Sequence, residues 1–96
     1  MTQMMMNIEG GNSIYFDCRD HAEDRETCAM VSTICNMLIV ACKHYDIEPK
    51  EISEGDIAHV CFDIPEAPEP LMLMFKSARE CFCELEDQFP FRVKVY

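Results

Sequence analysis

The sequence predicts an α+β fold, a two-layer sandwich in which two helices lie on one face of a mostly antiparallel or mixed sheet of four to five strands. Three observations support this class. Four segments alternate apolar and polar residues with the period of a strand, two longer segments repeat apolar residues at helical spacing, and neither helix is flanked by a simple βαβ repeat. The expected order of elements is ββαββαβ.

The first two strands are predicted to form a hairpin. Residues 3–8 and 13–18 each place their apolar side chains at every second position. Gly10-Gly11-Asn12 lies between them, and glycine and asparagine tolerate the positive φ angles of a tight turn. Two alternating runs around such a turn are typical of a β-hairpin.

The first helix is predicted from Thr27 to about Tyr45, after the polar connection 19–26. Asp24 or Thr27 is suited to cap its start, because a short polar side chain accepts a hydrogen bond from the first helical turn. The helix is expected to be largely inside, since its apolar residues repeat at three and four positions. These residues are Val31, Ile34, Leu38 and Ala41.

The second half of the chain predicts two further strands, a helix and a last strand. Residues 50–53 form a weak edge strand, and 57–64 alternate clearly, with His59 on the face opposite Val60. Prolines then lead into a helix, since proline is tolerated in a first turn. Residues 91–96 alternate again. The apolar positions of these last elements are Leu71, Met74, Phe75, Ala78, Phe82 and Leu85 in the helix and Phe91, Val93 and Val95 in the strand.

Acidic side chains dominate the charge of the chain: 18 Asp and Glu against 8 Lys and Arg give a formal net charge of −10 with His neutral. A nucleic acid or an anionic membrane surface would be repelled, so neither is expected as a partner, whereas a basic polypeptide would be attracted. No apolar run approaches the length of a membrane span, and a signal-peptide pattern is not seen. The 96 residues are expected to form one domain, 1–96.

Seven cysteines are an odd number, which does not suit a fully paired disulfide framework and favours a reducing, cytoplasmic location. Cys28, Cys35 and Cys42 recur every seven residues and so drift only about 20° per heptad around the helix. We assign Cys35 and Cys42 to packing. Cys28 differs because it lies near the start of the helix, close in sequence to His21.

His21 and Cys28 together suggest a nucleophilic site. A helix N-terminus carries partial positive charge and unpaired N–H groups, which favour a thiolate and stabilise an oxyanion. A nearby imidazole can take the thiol proton and return it to a leaving amine. This is the minimal equipment of a cysteine peptidase, although the spacing alone is weak evidence. His44 and His59 are competing candidates for the base.

A zinc site is the alternative use of these residues. Cys18, His21 and Cys28 offer three ligand types, but structural zinc sites favour closely spaced cysteine pairs. Cys81 and Cys83 are expected within a helix, where residues two apart point about 160° away from each other. We therefore expect no metal and no other cofactor.

The residues His21-Ala22 and Cys28-Ala29-Met30-Val31-Ser32 resemble the motifs of the Prp family, the ribosomal-processing cysteine proteases of bacteria. That family shows Gly-His-Ala followed by Asp-Ile-Val-Cys-Ala-x-Val-Ser. The similarity continues in order along essentially the whole chain, from the opening hairpin to Gln88-Phe89-Pro90 and the last strand.

The resemblance implies an intracellular cysteine endopeptidase that removes a short N-terminal extension from a large-subunit ribosomal protein. Cys28 would be the nucleophile and His21 the general base. Ser32 would support the site, and Ala22 and Ala29 would be the small residues that allow close packing of the loop. The resemblance also implies a homodimer and a ribosomal protein precursor, or another basic polypeptide, as substrate.

Three departures from the family pattern accompany the resemblance. Asp20 stands where the family has glycine before the histidine, and Arg25 stands where it has aspartate. The loop between His21 and Cys28 is shorter and more charged, and such loops close over substrate in many enzymes. A second reading therefore stays open, in which the chain is a catalytically impaired homologue that binds a basic or ribosomal protein without cleaving it.

Overall fold

The computed structural model describes residues 1–20, 24–53 and 59–96. Within these residues it shows a five-stranded mixed sheet and two helices in the order ββαββαβ, which confirms the predicted α+β class. The elements are β1 (Thr2–Glu9), β2 (Ser13–Arg19), α1 (Arg25–Lys43), β3 (Glu51–Ser53), β4 (His59–Ile64), α2 (Glu69–Gln88) and β5 (Val93–Val95).

The strands lie in the order β3-β4-β2-β1-β5. The predicted hairpin is confirmed: β1 pairs antiparallel with β2, and Gly10 and Gly11 in its turn have φ angles of 60° and 81°. β2 also pairs antiparallel with β4, and β4 with β3. β5 alone is parallel to its neighbour: Thr2 of β1 lies opposite Val93.

The core lies between the two helices and one face of the sheet. Met4 and Met6 of β1 and Ile14 and Phe16 of β2 are buried there, as their alternation predicts. Four phenylalanines join the two layers. The Phe16 ring lies 6.4 Å from that of Phe62, 5.7 Å from that of Phe75 and 6.2 Å from that of Phe82.

α1 begins two residues earlier and ends two residues sooner than the periodicity predicts. Asp24 is its N-cap, so Arg25 is the first helical residue. At the other end Asp46 has a φ angle of 56°, and the N–H group of Ile47 donates back to the carbonyl of Cys42. A left-handed residue after a helix ends it by redirecting the chain, which stops α1 before Tyr45.

α1 is also, among the described residues, the one helix long and apolar enough to cross a membrane by length and composition, with a mean hydropathy of 1.3. The expectation that no apolar run approaches a membrane span is therefore wrong for this helix. The observation is weak evidence for a membrane, because the core helix of a sandwich passes the same test. One third of the helical window is buried inside the fold.

The last strand is shorter than predicted. Residues 90–92 form a turn in which the N–H groups of Arg92 and Val93 donate to the carbonyl of Phe89. Phe91 is consequently 89% exposed rather than on the buried face with Val93. The alternation of residues 91–96 thus holds only from Val93 onward.

Candidate active site

Cys28 is the fourth residue of α1, within its first turn. The Asp24 carboxylate accepts a hydrogen bond from the N–H group of Thr27 (3.1 Å), and the Asp24 carbonyl accepts one from the N–H group of Cys28 (3.1 Å). These two amides are therefore used in the chain's own cap. The first-turn amides that Asp24 does not use belong to Arg25 and Glu26.

The three cysteines at seven-residue spacing differ in burial as the sequence predicts. Cys35 and Cys42 belong to the core, whereas Cys28 is partly exposed. Burial raises the pKa of Cys42 to about 11, which keeps this thiol protonated at neutral pH. The cysteine stripe is thus a packing stripe that reaches partial solvent exposure only at Cys28.

Asp24 is fixed by contacts from two elements. Besides the Thr27 amide, it accepts a hydrogen bond from the Thr27 hydroxyl at 2.9 Å. Arg92, in the turn before β5, forms an ion pair with the Oδ1 atom of Asp24. Loss of hydration raises the pKa of Asp24, but the Arg92 and Thr27 contacts outweigh this and lower it to about 2. Asp24 therefore caps the helix and ties it to the turn before β5.

Asp20 has a backbone conformation that explains one departure from the Prp pattern. Its φ angle is 69°, in the left-handed region that favours glycine and admits aspartate more readily than most residues. Its carbonyl accepts a hydrogen bond from the Thr2 hydroxyl (3.2 Å), and its carboxylate accepts one from the Gln3 amide (3.4 Å). Aspartate thus occupies the backbone position for which the family uses glycine.

The remaining predicted site residues fall in different places. Ser32 is half-buried and lies one turn after Cys28 on the same side of α1. Ala29 is exposed and lines a groove between α1 and α2. His21 and Ala22 lie outside the described residues.

The competing histidines both lie away from Cys28. His44 is the exposed C-cap of α1, sixteen residues or about 24 Å further along the helix. His59 lies on the face of the sheet that the helices leave open, opposite Arg19 in the β2–β4 register. Its Nε2 atom is 3.1 Å from Asp17 and its Nδ1 atom 3.4 Å from Glu51. Neither histidine is placed to act on the Cys28 thiol.

Sequence reasoning missed a polar network on this open face, centred on Asp17. The Asp17 side chain is only 5% exposed and accepts hydrogen bonds from Arg19 Nε (3.1 Å), Arg19 Nη2 (2.9 Å) and the Tyr15 hydroxyl (3.3 Å), besides its contact with His59. Burial alone would raise the pKa of Asp17, but the bonds from Arg19 and His59 hold it below its usual value. The signal in the sequence is the alternation of Tyr15, Asp17 and Arg19 on one face of β2.

No group of three or more His, Cys, Asp or Glu side chains among residues 1–20, 24–53 and 59–96 is arranged to hold a metal ion. Cys18 is buried, and a hydrogen bond with the Cys35 thiol, together with burial, raises its pKa. Cys81 and Cys83 are both exposed within α2, two residues apart. The His21 member of the alternative zinc set lies outside the described part of the chain.

The fold of the described residues is one that solved structures share. Comparison with solved structures finds SMU.848 from Streptococcus mutans, with a TM-score of 0.77 and 20% sequence identity over 99% of this chain and 95% of that one. It also finds the essential ribosomal processing protease Prp from S. aureus, in complex with a covalently linked product peptide. Here the TM-score is 0.78 and the identity 13%, over 99% of this chain and 97% of Prp.

No protein-family profile and no curated protein sequence matches the chain. The likeness to Prp at this identity establishes the fold, and the chain has a Prp-like fold over nearly its whole length. The resemblance noted from the sequence motifs is confirmed at this level.

Proposed function

We propose that the chain is a cysteine endopeptidase of the ribosomal-processing kind. The observation that carries the proposal is the coincidence of a Prp-like fold with the position of Cys28. Cys28, the cysteine of the motif, lies in the first turn of α1. It is partly exposed, whereas Cys35 and Cys42, which follow it at seven-residue spacing, are buried. The chemical roles are those that the motif resemblance assigns.

Cys28 is the proposed nucleophile and His21 the proposed general base and acid. The partial positive charge of the α1 N-terminus favours the thiolate, and His21 accepts the thiol proton before attack on a peptide carbonyl. The same imidazolium then protonates the leaving amine. The amides of Arg25 and Glu26 are the candidate oxyanion donors, because those of Thr27 and Cys28 already donate to Asp24.

The proposed substrate is the N-terminal extension of a large-subunit ribosomal protein precursor. S. aureus Prp is a ribosomal processing protease crystallised with a covalently linked product peptide, which supports a peptide substrate for this chain. The net charge of −10 supports a basic client. The proposed location is the cytoplasm, which an odd number of cysteines supports.

A second candidate is a Prp-like protein that binds such a client without cleaving it. The observation that favours it is the short loop between His21 and Cys28, which brings Arg25 and Glu26 to positions that are Asp and an apolar residue in the family pattern. Asp20 does not add to this case, because its φ angle of 69° lies in the region that glycine adopts freely and that aspartate also tolerates.

The decisive experiment incubates the purified chain with the ribosomal protein precursor of the same organism and measures product masses. We expect one cut near the N-terminus of the precursor. Cys28→Ser should abolish it with the fold intact, because a serine hydroxyl is a far poorer nucleophile without a base tuned to it. Cys81→Ser is the matched control, since Cys81 is exposed on α2, and it should cleave normally.

The histidine is assigned by comparing three alanine variants. His21→Ala should lower turnover strongly, whereas His44→Ala and His59→Ala should not, since both lie away from Cys28. The rate of iodoacetamide labelling distinguishes the two candidate functions: a poised Cys28 reacts near neutral pH far faster than exposed Cys81 and Cys83. Full cleavage by Cys28→Ser would overturn the proposal. A wild-type chain that binds the precursor, does not cleave it and labels slowly at Cys28 would favour the second candidate.

A further inference from the structure

The residue that follows β2 and the residue that caps α1 are both held from one place, the paired starts of β1 and β5. The Asp20 carbonyl accepts a hydrogen bond from the Thr2 hydroxyl at 3.2 Å, and Asp24 forms an ion pair with Arg92. Thr2 and Arg92 are themselves joined, because the Thr2 N–H group donates to the Arg92 carbonyl at 2.8 Å. We call Thr2, Arg92 and the hydrogen bond between them the β1–β5 junction.

The junction also reaches the first turn of α1. The Asp24 carbonyl accepts a hydrogen bond from the N–H group of Cys28 at 3.1 Å. His21 follows Asp20 directly in the sequence. A continuous path of contacts between described residues therefore leads from the residue before His21 to the proposed nucleophile. Its members are, in order, Asp20, Thr2, Arg92, Asp24 and Cys28.

We propose that Thr2 and Arg92 are positioning residues of the proposed protease site. The junction fixes the end of β2 relative to the start of α1, and so fixes the backbone before His21 relative to Cys28. Thr2 and Arg92 act through the residues that they hold, and neither is a catalytic residue. The inference rests on the proposed function, since it takes His21 and Cys28 as the reacting pair. In such pairs a misplacement of about 1 Å can cost about 100-fold in rate.

Thr2 is a polar residue at a fully buried position, with 0% of its surface exposed. A buried hydroxyl costs free energy unless it is hydrogen-bonded, and valine would fill the same strand position without that requirement. The hydrogen bond to Asp20 is therefore what the threonine supplies. It holds a residue whose φ angle is 69°, and such backbone conformations persist where neighbouring contacts fix them, often at active sites.

Arg92 holds Asp24 from a backbone that is itself fixed on both sides. The Arg92 N–H group donates to the Phe89 carbonyl at 2.9 Å, and the Arg92 carbonyl accepts from Thr2. The side chains of Arg92 and Asp24 are 43% and 29% exposed. An ion pair with such exposure contributes little to stability, so its main effect is on the position of the α1 start relative to the sheet.

The order of the contacts distinguishes positioning from a general effect on stability. Thr2→Val removes the hydroxyl and keeps a similar volume, and Arg92→Met removes the guanidinium. Because the contacts lie in series, either change breaks the same path. The double variant should therefore have a kcat hardly lower than that of the more impaired single variant, whereas independent effects would multiply.

Steady-state kinetics on a peptide from the ribosomal protein precursor test the proposal. We expect Thr2→Val and Arg92→Met each to lower kcat per folded chain by about 10-fold and to leave KM within about twofold, because neither contacts substrate. Thr2→Ser keeps the hydroxyl and should retain kcat. Lys94→Met is the matched control for Arg92→Met, since it removes a similarly exposed cation of β5 and its ion pair with Glu86, and it should cleave normally.

Iodoacetamide labelling of Cys28 across a range of pH gives a readout that does not require cleavage. The pH profile should differ between the wild-type chain and His21→Ala, because the imidazole takes the thiol proton. Thr2→Val and Arg92→Met should move the profile towards that of His21→Ala, and Lys94→Met should not. Circular dichroism shows that each variant is folded.

The outcomes separate this proposal from the proposed function. Unchanged kcat and labelling in both junction variants would overturn the positioning role. So would an equal loss in Lys94→Met, or losses that multiply in the double variant. If the wild-type chain does not cleave but its labelling depends on His21, the labelling comparison alone decides. A chain that neither cleaves nor changes its labelling profile in His21→Ala would overturn the proposed function, and the positioning role with it.

Discussion

The backbone of Asp20 occupies a left-handed conformation that side chains with a Cβ atom adopt only at a cost. Asp20 directly follows β2, which ends at Arg19, and precedes His21 in the sequence. The Thr2 hydroxyl holds its carbonyl from the neighbouring strand. Asp20 thus joins the end of β2 to β1 through a backbone conformation that few residue types adopt readily.

A pair of substitutions tests this cost. Asp20→Ala should lower the free energy of unfolding by about 1 kcal/mol, because alanine has no polar side chain to compensate the left-handed backbone. Asp20→Gly should stay within about 0.5 kcal/mol of wild type, since glycine adopts positive φ freely. Both variants lose the weak Gln3 contact, so urea denaturation of the pair isolates the backbone effect. Equal stability of the two would contradict the argument.

The residue scale also shows what the sequence could predict about the site. Cys28, the Asp24 cap and the burial of Cys35 and Cys42 follow from helical spacing and capping preference, which are local properties. The ion pair of Asp24 with Arg92 could not be predicted, because it joins residues far apart in the chain. Such a contact depends on how β5 pairs, which no local pattern reports.

At the scale of the elements, side chains from three strands form a polar network around Asp17 on the open face of the sheet. This carboxylate on β2 accepts hydrogen bonds from its own strand and contacts His59 on β4, while His59 in turn contacts Glu51 on β3. Removing one partner of a buried pair leaves the others uncompensated, which costs several kcal/mol in typical proteins. The network therefore stabilises the edge of the sheet that carries β3, a strand of only three residues.

Asp17→Asn should destabilise the chain by about 2 kcal/mol at pH 7, because the amide keeps the volume but cannot accept as many hydrogen bonds and has no charge for Arg19. The folded pKa of Asp17 lies below the ordinary value of 3.8. Its contribution is therefore complete above that value and is lost as pH falls through the folded pKa. Urea unfolding of wild type and variant should show a difference that shrinks as the solution is made more acidic than the ordinary value of 3.8. A constant difference at every pH would exclude a charge effect.

Elements with strict alternation were predicted well, and elements that depend on pairing were not. Phe16 and Phe62 fall on the buried face because every second residue of β2 and β4 is apolar. Phe91 obeys the same alternation but is 89% exposed, since a backbone turn interrupts the pattern. The contact of His59 with Asp17 could not be predicted, because it requires the β2–β4 register, which sets His59 opposite Arg19.

At the scale of the whole molecule, charge should govern the choice of substrate. Glu26 is exposed near Cys28, whereas Asp24 is offset by Arg92, so the acidic rim of the proposed site is weaker than the sequence alone suggests. The net charge of −10 still attracts basic polypeptides over distances of a Debye length. The attraction raises the rate at which enzyme and substrate associate and leaves the rate of the chemical step unchanged.

Two matched peptides test this effect, one with lysines flanking the cut and one with glutamines. The lysine peptide should have the higher kcat/KM at low ionic strength. Its advantage should shrink as salt is added, because the Debye length falls to about 3 Å at 1 M and the attraction is then screened. The kcat values should stay similar if charge changes only the encounter. Equal kcat/KM values at low salt would show that the acids are merely solvated surface.

The parallel pairing of β1 with β5 has a consequence for the time course of folding. Thr2 lies beside Val93, so the outermost ladder of the sheet joins residues separated by most of the described chain. Closing so long a loop is slow compared with forming a hairpin, which takes microseconds. On a ribosome that adds residues one by one, the β1–β2 hairpin emerges early, yet the free edge of β1 is left without its neighbour until the last strand has left the exit tunnel. Until then β1 is an unprotected strand edge, open to pairing with other chains.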